Sequence, residues 1–432
     1  MMILPRSRHL LMLLALLASA PLQAENLAEA WQLAERHDAG LAAMQGRSEA
    51  GRAGAAAARA ERLPRLSLDG SYQRFGDAPA FSFPFGSNNF SSPELVKNDD
   101  FLMGRARLEL PLYTSGRISA GIESAQQAAA GAELAATAYA QALRLQVADA
   151  YIEVLRAQRA VAAAESAVAS LQLHLDEVAV MLEHEAVPRN DWLAARVTLA
   201  DAEQARLRAE NRRQLALAAY NRFLGQPLER EVQLEMPADE TSATDEPAPA
   251  LVERALAQRP ELAGSAAQAR ALAEQARSEA AARGPQLGLV ADYQYLENQV
   301  LDREDFSLLG VGFSWTLWDG GRIRHRADAL RSASRAAGRD HDDLASRIAL
   351  EVHQALLALA EAEARVPLGR EAVEQAEENL RVSREQYGVG LATSTVVLDA
   401  EALRLQAVAN HDDALLDVAL GRLRLRRALG EL

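Results

Sequence analysis

Apolar and polar residues alternate over four short stretches of the chain. In residues 105–113, Ala106, Leu108, Leu110 and Leu112 alternate with Arg105, Arg107 and Glu109. In residues 309–317, Leu309, Val311, Phe313, Trp315 and Leu317 alternate with Gly310, Gly312, Ser314 and Thr316. Leu66, Leu68 and Tyr72 mark a strand near 66–74, and Leu287, Leu289, Tyr293 and Tyr295 mark another near 287–295. A period of two places such residues on one face of a strand. Each stretch is about nine residues long, the length that a tilted strand needs to cross a bilayer. One apolar face with aromatic residues toward the ends suits lipid outside and water inside. Alternation alone suits a soluble, half-buried sheet equally well.

Elsewhere the period is seven. Val147, Val154, Val161, Val168, Leu175 and Leu182 recur in that rhythm, with Ala150, Ala157, Ala164, Leu171 and Val178 three residues later. Val352, Leu359, Val366, Val373, Leu380 and Tyr387 repeat the register, followed by Ala355, Ala362, Gly369 and Ala376. A strict heptad makes helices supercoil left-handedly, and small residues at its second seam position allow close approach. The pattern predicts long helices over about 117–186 and 322–387, each paired antiparallel with a partner, near 189–223 and 394–429. Residues 117–186 hold no Pro, so the first would run for on the order of 100 Å.

These elements are duplicated. Tyr113-Thr114-Ser115-Gly116-Arg117-Ile118 matches Trp318-Asp319-Gly320-Gly321-Arg322-Ile323 at an offset of 205, and Phe223-Leu224-Gly225 matches Ala428-Leu429-Gly430 at the same offset. Upstream, Leu63-Pro64-Arg65-Leu66-Ser67-Leu68 matches Gly284-Pro285-Gln286-Leu287-Gly288-Leu289 at an offset of 221. The sixteen extra residues of the first copy fall in 75–101, where Gly76, Pro79, Pro84, Gly86, Asn88, Asn89 and Pro93 predict a loop. The organisation is therefore a segment 1–24, a first repeat 25–225, a Pro- and acid-rich linker 226–250 and a second repeat 251–430.

Segment 1–24 reads as a secretory signal. Arg6, Arg8 and His9 precede the apolar run Leu10 to Ala20, and Leu22-Gln23-Ala24 leads to a cut before Glu25. No other stretch reaches 18 consecutive apolar residues, so entry into a membrane requires a closed β-barrel. Four strands do not close a useful pore, and eight leave an interior filled by side chains. A barrel therefore demands oligomerisation, and three chains give twelve strands. The formal charge of −14, or −16 once Arg6 and Arg8 are removed, argues against nucleic acid as a partner. The absence of Cys excludes disulfides, thiolate metal sites, a Cys nucleophile and a lipoprotein anchor. Asp340-His341-Asp342-Asp343 and His411-Asp412-Asp413 lack zinc spacing and read as solvated helix faces. No nucleophile elbow, phosphate loop or dinucleotide fingerprint occurs. The expectation is therefore a protein that is not an enzyme and carries no cofactor or metal.

Further motifs occur in order: Leu63-Pro64-Arg65-Leu66 before the first strand, Arg259-Pro260-Glu261-Leu262, Tyr387 with Gly390, Val397-Leu398-Asp399-Ala400, and the closing Leu224-Gly225 and Leu429-Gly430. Together with the signal, the duplicated strands and the Ala-rich heptads, they resemble the TolC-like outer membrane efflux protein family over essentially the whole mature chain. The resemblance implies a mainly α fold with a small β part. It also implies a homotrimer whose twelve-stranded outer-membrane barrel, set in outer-membrane lipid, continues into a periplasmic α-helical barrel. The implied function is that of a passive duct in a tripartite efflux pump or type I secretion system. A periplasmic adaptor and an inner-membrane RND, ABC or MFS transporter would open it. The alternative is a periplasmic coiled-coil scaffold or adaptor without a membrane barrel.

The resemblance also implies a periplasmic gate. Asp399 matches one of two acidic constriction positions, and Val396 replaces the other. Tyr387 and Asp191 match positions of polar links that hold the tip shut. The usual basic partner of Asp191 is Ala392 here, leaving Arg189 as its replacement, and Glu185 stands where Gly is common. The helix turns, with Val187, Pro188, Arg189 and Asn190 in one copy and Gly388, Gly390, Thr393 and Ser394 in the other, are the implied adaptor contacts.

Overall fold

The computed structural model describes residues 25–76, 80–86, 88–94, 100–237, 246–298 and 301–432. The expected signal, 1–24, lies outside them, as does part of the linker. In chain order the elements are α1 (Leu27–His37), α2 (Ala39–Ala60), β1 (Arg65–Arg74), β2 (Ala80–Phe85), β3 (Asn88–Glu94), β4 (Asp100–Tyr113), α3 (Arg117–Glu183), α4 (Arg189–Phe223), α5 (Ala248–Gln258), α6 (Pro260–Ala281), β5 (Gln286–Leu296), β6 (Asp305–Ser314), α7 (Arg322–Gly388) and α8 (Ser394–Leu429).

The duplication is written into the backbone. Four pairs of residues 205 apart both take left-handed φ: Ser115 with Gly320, Gly116 with Gly321, Glu185 with Gly390, and Gly225 with Gly430. Helix starts match too. Thr114 Oγ1 accepts from Ile118 N at 3.4 Å, and 205 residues on Asp319 Oδ2 accepts from Ile323 N at 2.8 Å. Each side chain satisfies one of the amides that a helix N-terminus leaves free.

Two sequence expectations change. Residues 75–101, expected as a loop, hold the antiparallel hairpin β2–β3 and the first residues of β4. Phe81, Phe83 and Phe85 alternate there, a strand signal masked by the surrounding Gly and Pro. The last strand spans Asp305–Ser314, not 309–317. Its apolar alternation continues, but its neighbour does not: β5 begins at Gln286, paired with Ser314. Trp315 instead donates its Nε1 hydrogen to Arg283 O at 2.9 Å.

The chain forms two compact units. One comprises 44–135 and 261–343. It contains a four-stranded antiparallel sheet in the order β1-β4-β5-β6. The register aligns Leu66, Leu108, Ala291 and Leu309 in one row, with Leu110, Leu289 and Val311 in the next. This face is apolar and open to its surroundings, with Leu66, Leu68, Leu309, Val311 and Phe313 all more than 60% exposed. The opposite face aligns Ser67, Arg107 and Asp292 beside Asp69, Arg105 and Gln294. Arg105 reaches diagonally across to bond the buried Asp292. Strands β1 and β6 each have one unpaired edge among the described residues.

The other unit comprises residues up to Ala43, Ala136–Pro260 and Leu344–Leu432. Its core packs Val147, Tyr151 and Val154 of α3 against Ala30 and Ala34 of α1, Tyr220 of α4 and Leu420 of α8. A capping box between Asn26 and Glu29 starts α1. Glu25 is buried beside it. Its carboxylate accepts from Tyr220 Oη at 2.7 Å and from Arg230 at 2.9 Å, while its carbonyl accepts from Tyr151 Oη at 2.8 Å. Burial holds the Tyr220 hydroxyl far above its ordinary pKa, and the adjoining carboxylate adds to the effect.

Heptad packing is close where the seam is small. A Cβ added to Gly369 would lie 3.1 Å from His411 Cα, so a side chain there would make the facing helices α7 and α8 give by a few tenths of an ångström. The Asp residues after His411 are not merely solvated, as the sequence suggested. Asp412 pairs with Arg159 at 3.0 Å, Asp413 with Arg156 at 2.9 Å, and Asp417 with both Arg156 and Arg365. Burial would raise the Asp417 pKa, but the two guanidiniums prevail and hold it below the usual range.

Candidate functional site

Two helix reversals, α3 to α4 and α7 to α8, carry the expected site. Both end their first helix in the same way. Ala186 N donates to Met181 O at 2.9 Å and Leu391 N donates to Gln386 O at 2.8 Å. These six-residue closures require a left-handed residue just after the helix. Glu185, at φ +56°, and Gly390, at φ +76°, supply it. Pro188 then precedes α4 and Thr393 precedes α8, each in extended conformation and neither with a side-chain cap.

The structure divides the sequence-derived residues into surface and interior. Pro188, Arg189, Asn190, Gly388, Gly390 and Thr393 are exposed, and Val187 is half-buried. Ser394, expected on the contact surface, is only 2% exposed, because the first turn of α8 packs inward. Tyr387 is buried with Val178, Leu380, Val397 and Ala400, flanked by Met181, Val187 and Trp192. Its hydroxyl makes no hydrogen bond to Asp191 among the described residues, so the expected polar link is not formed as a bond. Asp191 acts through charge instead. Burial raises the Tyr387 pKa, and the Asp191 carboxylate raises it further. Arg189 makes no ion pair with Asp191 among the described residues; it points to solvent at the start of α4. Asp399 lies on the exposed side of α8, away from its buried neighbours Val397, Ala400 and Glu401.

Sequence reasoning missed the polar residues inside this junction. His174 of α3 is 1% exposed. Its Nε2 lies 2.9 Å from Ser394 Oγ, and its ring stands edge-on to Tyr387 at 5.3 Å between centroids. One turn toward the N-terminus, Ser170 donates to the buried Glu401 at 2.5 Å, and Arg404 pairs with the same carboxylate at 2.6 Å. Arg384 bonds Ser170 and sits 3.9 Å from Glu401. Spacing held a signal. His174 follows Leu171 by three and precedes Val178 by four, the rhythm of a buried seam.

The paired turns and the open apolar sheet are matched by a family model for outer membrane efflux proteins over residues 30–226 and 251–431. The chain belongs to the outer membrane efflux protein family. It is 24% identical to the outer membrane protein TolC of Vibrio cholerae, over 96% of this chain and 92% of that protein. Its fold matches the outer membrane protein VceC of V. cholerae with a TM-score of 0.81 at 20% identity, covering 94% of this chain and 96% of that one. It also matches the CmeC outer membrane channel of Campylobacter jejuni, with a TM-score of 0.81 at 15% identity over 94% and 86% of the two chains. This outer membrane efflux protein therefore has the TolC-like channel fold. No helix among the described residues is long and apolar enough to cross a membrane. No group of three or more His, Asp or Glu side chains among the described residues is placed to hold a metal ion.

Proposed function

We propose that three copies of this chain close their sheets into a twelve-stranded outer-membrane barrel and act as a passive export duct. The observation that carries this reading is the four-stranded sheet with one apolar face and two open edges. In water such a sheet is an aggregation site, because unpaired strand edges recruit other strands. Joined edge to edge in lipid, β6 of one copy against β1 of the next, it satisfies every backbone group and leaves the Arg105–Asp292 face toward water. A coiled-coil scaffold or adaptor without a barrel leaves this face unaccounted for.

The duct performs no chemistry of its own. Its helix turns serve as the contact for a periplasmic adaptor, and an inner-membrane transporter of the RND, ABC or MFS class supplies the energy, in efflux or in type I secretion. Asp399, exposed on α8 without an ion-pair partner in the described chain, is the candidate constriction: three such carboxylates around an axis attract cations. Tyr387 holds the turn beside it closed through its buried packing, with the Asp191 charge nearby. Native mass spectrometry of the detergent-extracted protein should show three copies. In planar bilayers the trimer should pass cation-favouring currents that multivalent cations block, and Asp399→Ala should weaken the block. A monomeric mature protein found in the soluble periplasmic fraction overturns the duct.

A further inference from the structure

His174 joins four helices. It lies in α3, its Nε2 meets Ser394 at the start of α8, its ring packs on Tyr387 of α7, and Asp191 of α4 acts on it through charge. The other charged groups facing the junction are Arg384 of α7 and Glu177 on the next turn of α3, with Glu401 of α8 one layer away, bound to Ser170 and Arg404.

A neutral imidazole offers one donor and one acceptor. Here Nε2 has its partner, but Nδ1 is buried with none among the described residues. A second proton would therefore either occupy a nitrogen that meets no acceptor or force the ring to turn. It would also bury a positive charge beside the Arg384 guanidinium, with Asp191 as the opposing charge. We propose that His174 is a proton-operated latch: protonating it loosens the junction of α3, α4, α7 and α8 and favours the open form of the turns.

The electrostatics agree in direction. Burial lowers the His174 pKa, Arg384 lowers it further, and Asp191 opposes both. The packed junction therefore binds the proton less well than a loosened one. Its advantage is complete above the ordinary histidine value of about 6.5 and is lost as pH falls through the lowered value. A pH of about 5.5 lies below the ordinary histidine value and above the free carboxylate value near 4, so it favours the loosened junction, in which the imidazole takes up the proton.

The inference rests on the duct reading, and planar-bilayer recording of the full-length mature protein tests both. Between about pH 7.5 and about pH 5.5, the window in which histidine changes charge, open probability should rise several-fold. His174→Gln keeps a hydrogen-bonding amide toward Ser394 but does not titrate, so the rise should vanish while the pH 7.5 currents persist. Arg384→Gln removes a charge that opposes protonation, so the midpoint should move to higher pH; this arm stands even where the His174 variant fails to assemble. A wild-type channel indifferent to pH, a rise that survives in His174→Gln, or an unmoved midpoint in Arg384→Gln overturns the latch alone. Silence at every pH overturns the duct, and the latch with it.

Discussion

Glu185 and Gly390 stand 205 residues apart, and both hold a left-handed backbone, at φ +56° and +76°. One copy of the repeat makes its turn with the residue suited to that conformation, and the other makes the same turn with a residue that resists it. A left-handed L-residue costs roughly 1–2 kcal/mol, and glycine avoids most of that cost. Glu185→Gly should therefore raise the thermal stability of the tip, by at most about 1 kcal/mol once the greater freedom of the unfolded glycine is counted. Gly390→Ala should lower it by a similar amount. Protection of the turn amides against hydrogen exchange reads both changes locally. An equal response to the two substitutions contradicts the account.

Glycines within α7 should behave in opposite ways. At Gly369 an added Cβ meets the His411 backbone, while at Gly338 it meets nothing within 4 Å. Gly369→Val should force α7 and α8 apart and cost about 1–3 kcal/mol, the usual range for an overpacked contact. Gly338→Ala should gain up to about 1 kcal/mol from helix propensity. Thermal melting followed by circular dichroism separates them.

Glu401 is the buried carboxylate that Arg404 and Arg384 surround. Removing one member of such a group strands the others, so Glu401→Ala should cost about 3 kcal/mol. Replacing Asp399 two residues earlier should leave the melting temperature nearly unchanged, because that side chain is exposed and makes no ion pair in the described chain. A comparable loss at both positions would show that Glu401 is no more structural than its neighbour.

At low pH a separate loss should appear at the ion pairs of Asp417. Its folded pKa lies below the usual carboxylate value, so its contribution is complete above about pH 4 and disappears as pH falls through the lowered value. Melting curves of Asp417→Asn against the wild-type protein should converge in acid and diverge above it.

Much of this fold is legible in the sequence because repetition multiplies weak signals. No single Leu-Gly or Gly-Arg pair locates a helix end, but the same pair 205 residues on does. The hairpin β2–β3 escaped because Pro and Gly outweighed the alternating Phe residues, although proline is tolerated in edge strands. The end of β6 escaped because pattern cannot tell where the neighbouring strand stops. The interior of the tip escaped for a different reason. His174, Ser394 and Glu401 sit at buried helical positions, but polar residues there look the same as solvated ones until the facing helices are known. The exposed residues Asp399 and Arg189 were the easier ones to notice.

The open edges of β1 and β6 also set a clock. In the proposed barrel, a folded protomer carries two strand edges, unpaired among the described residues, that neighbouring copies complete, so its survival depends on mass action. Closure should slow steeply as expression falls, and protomers awaiting partners become the natural prey of proteases and chaperones. For such a chain, the level at which it is made is as much a determinant of yield as the stability of its helices.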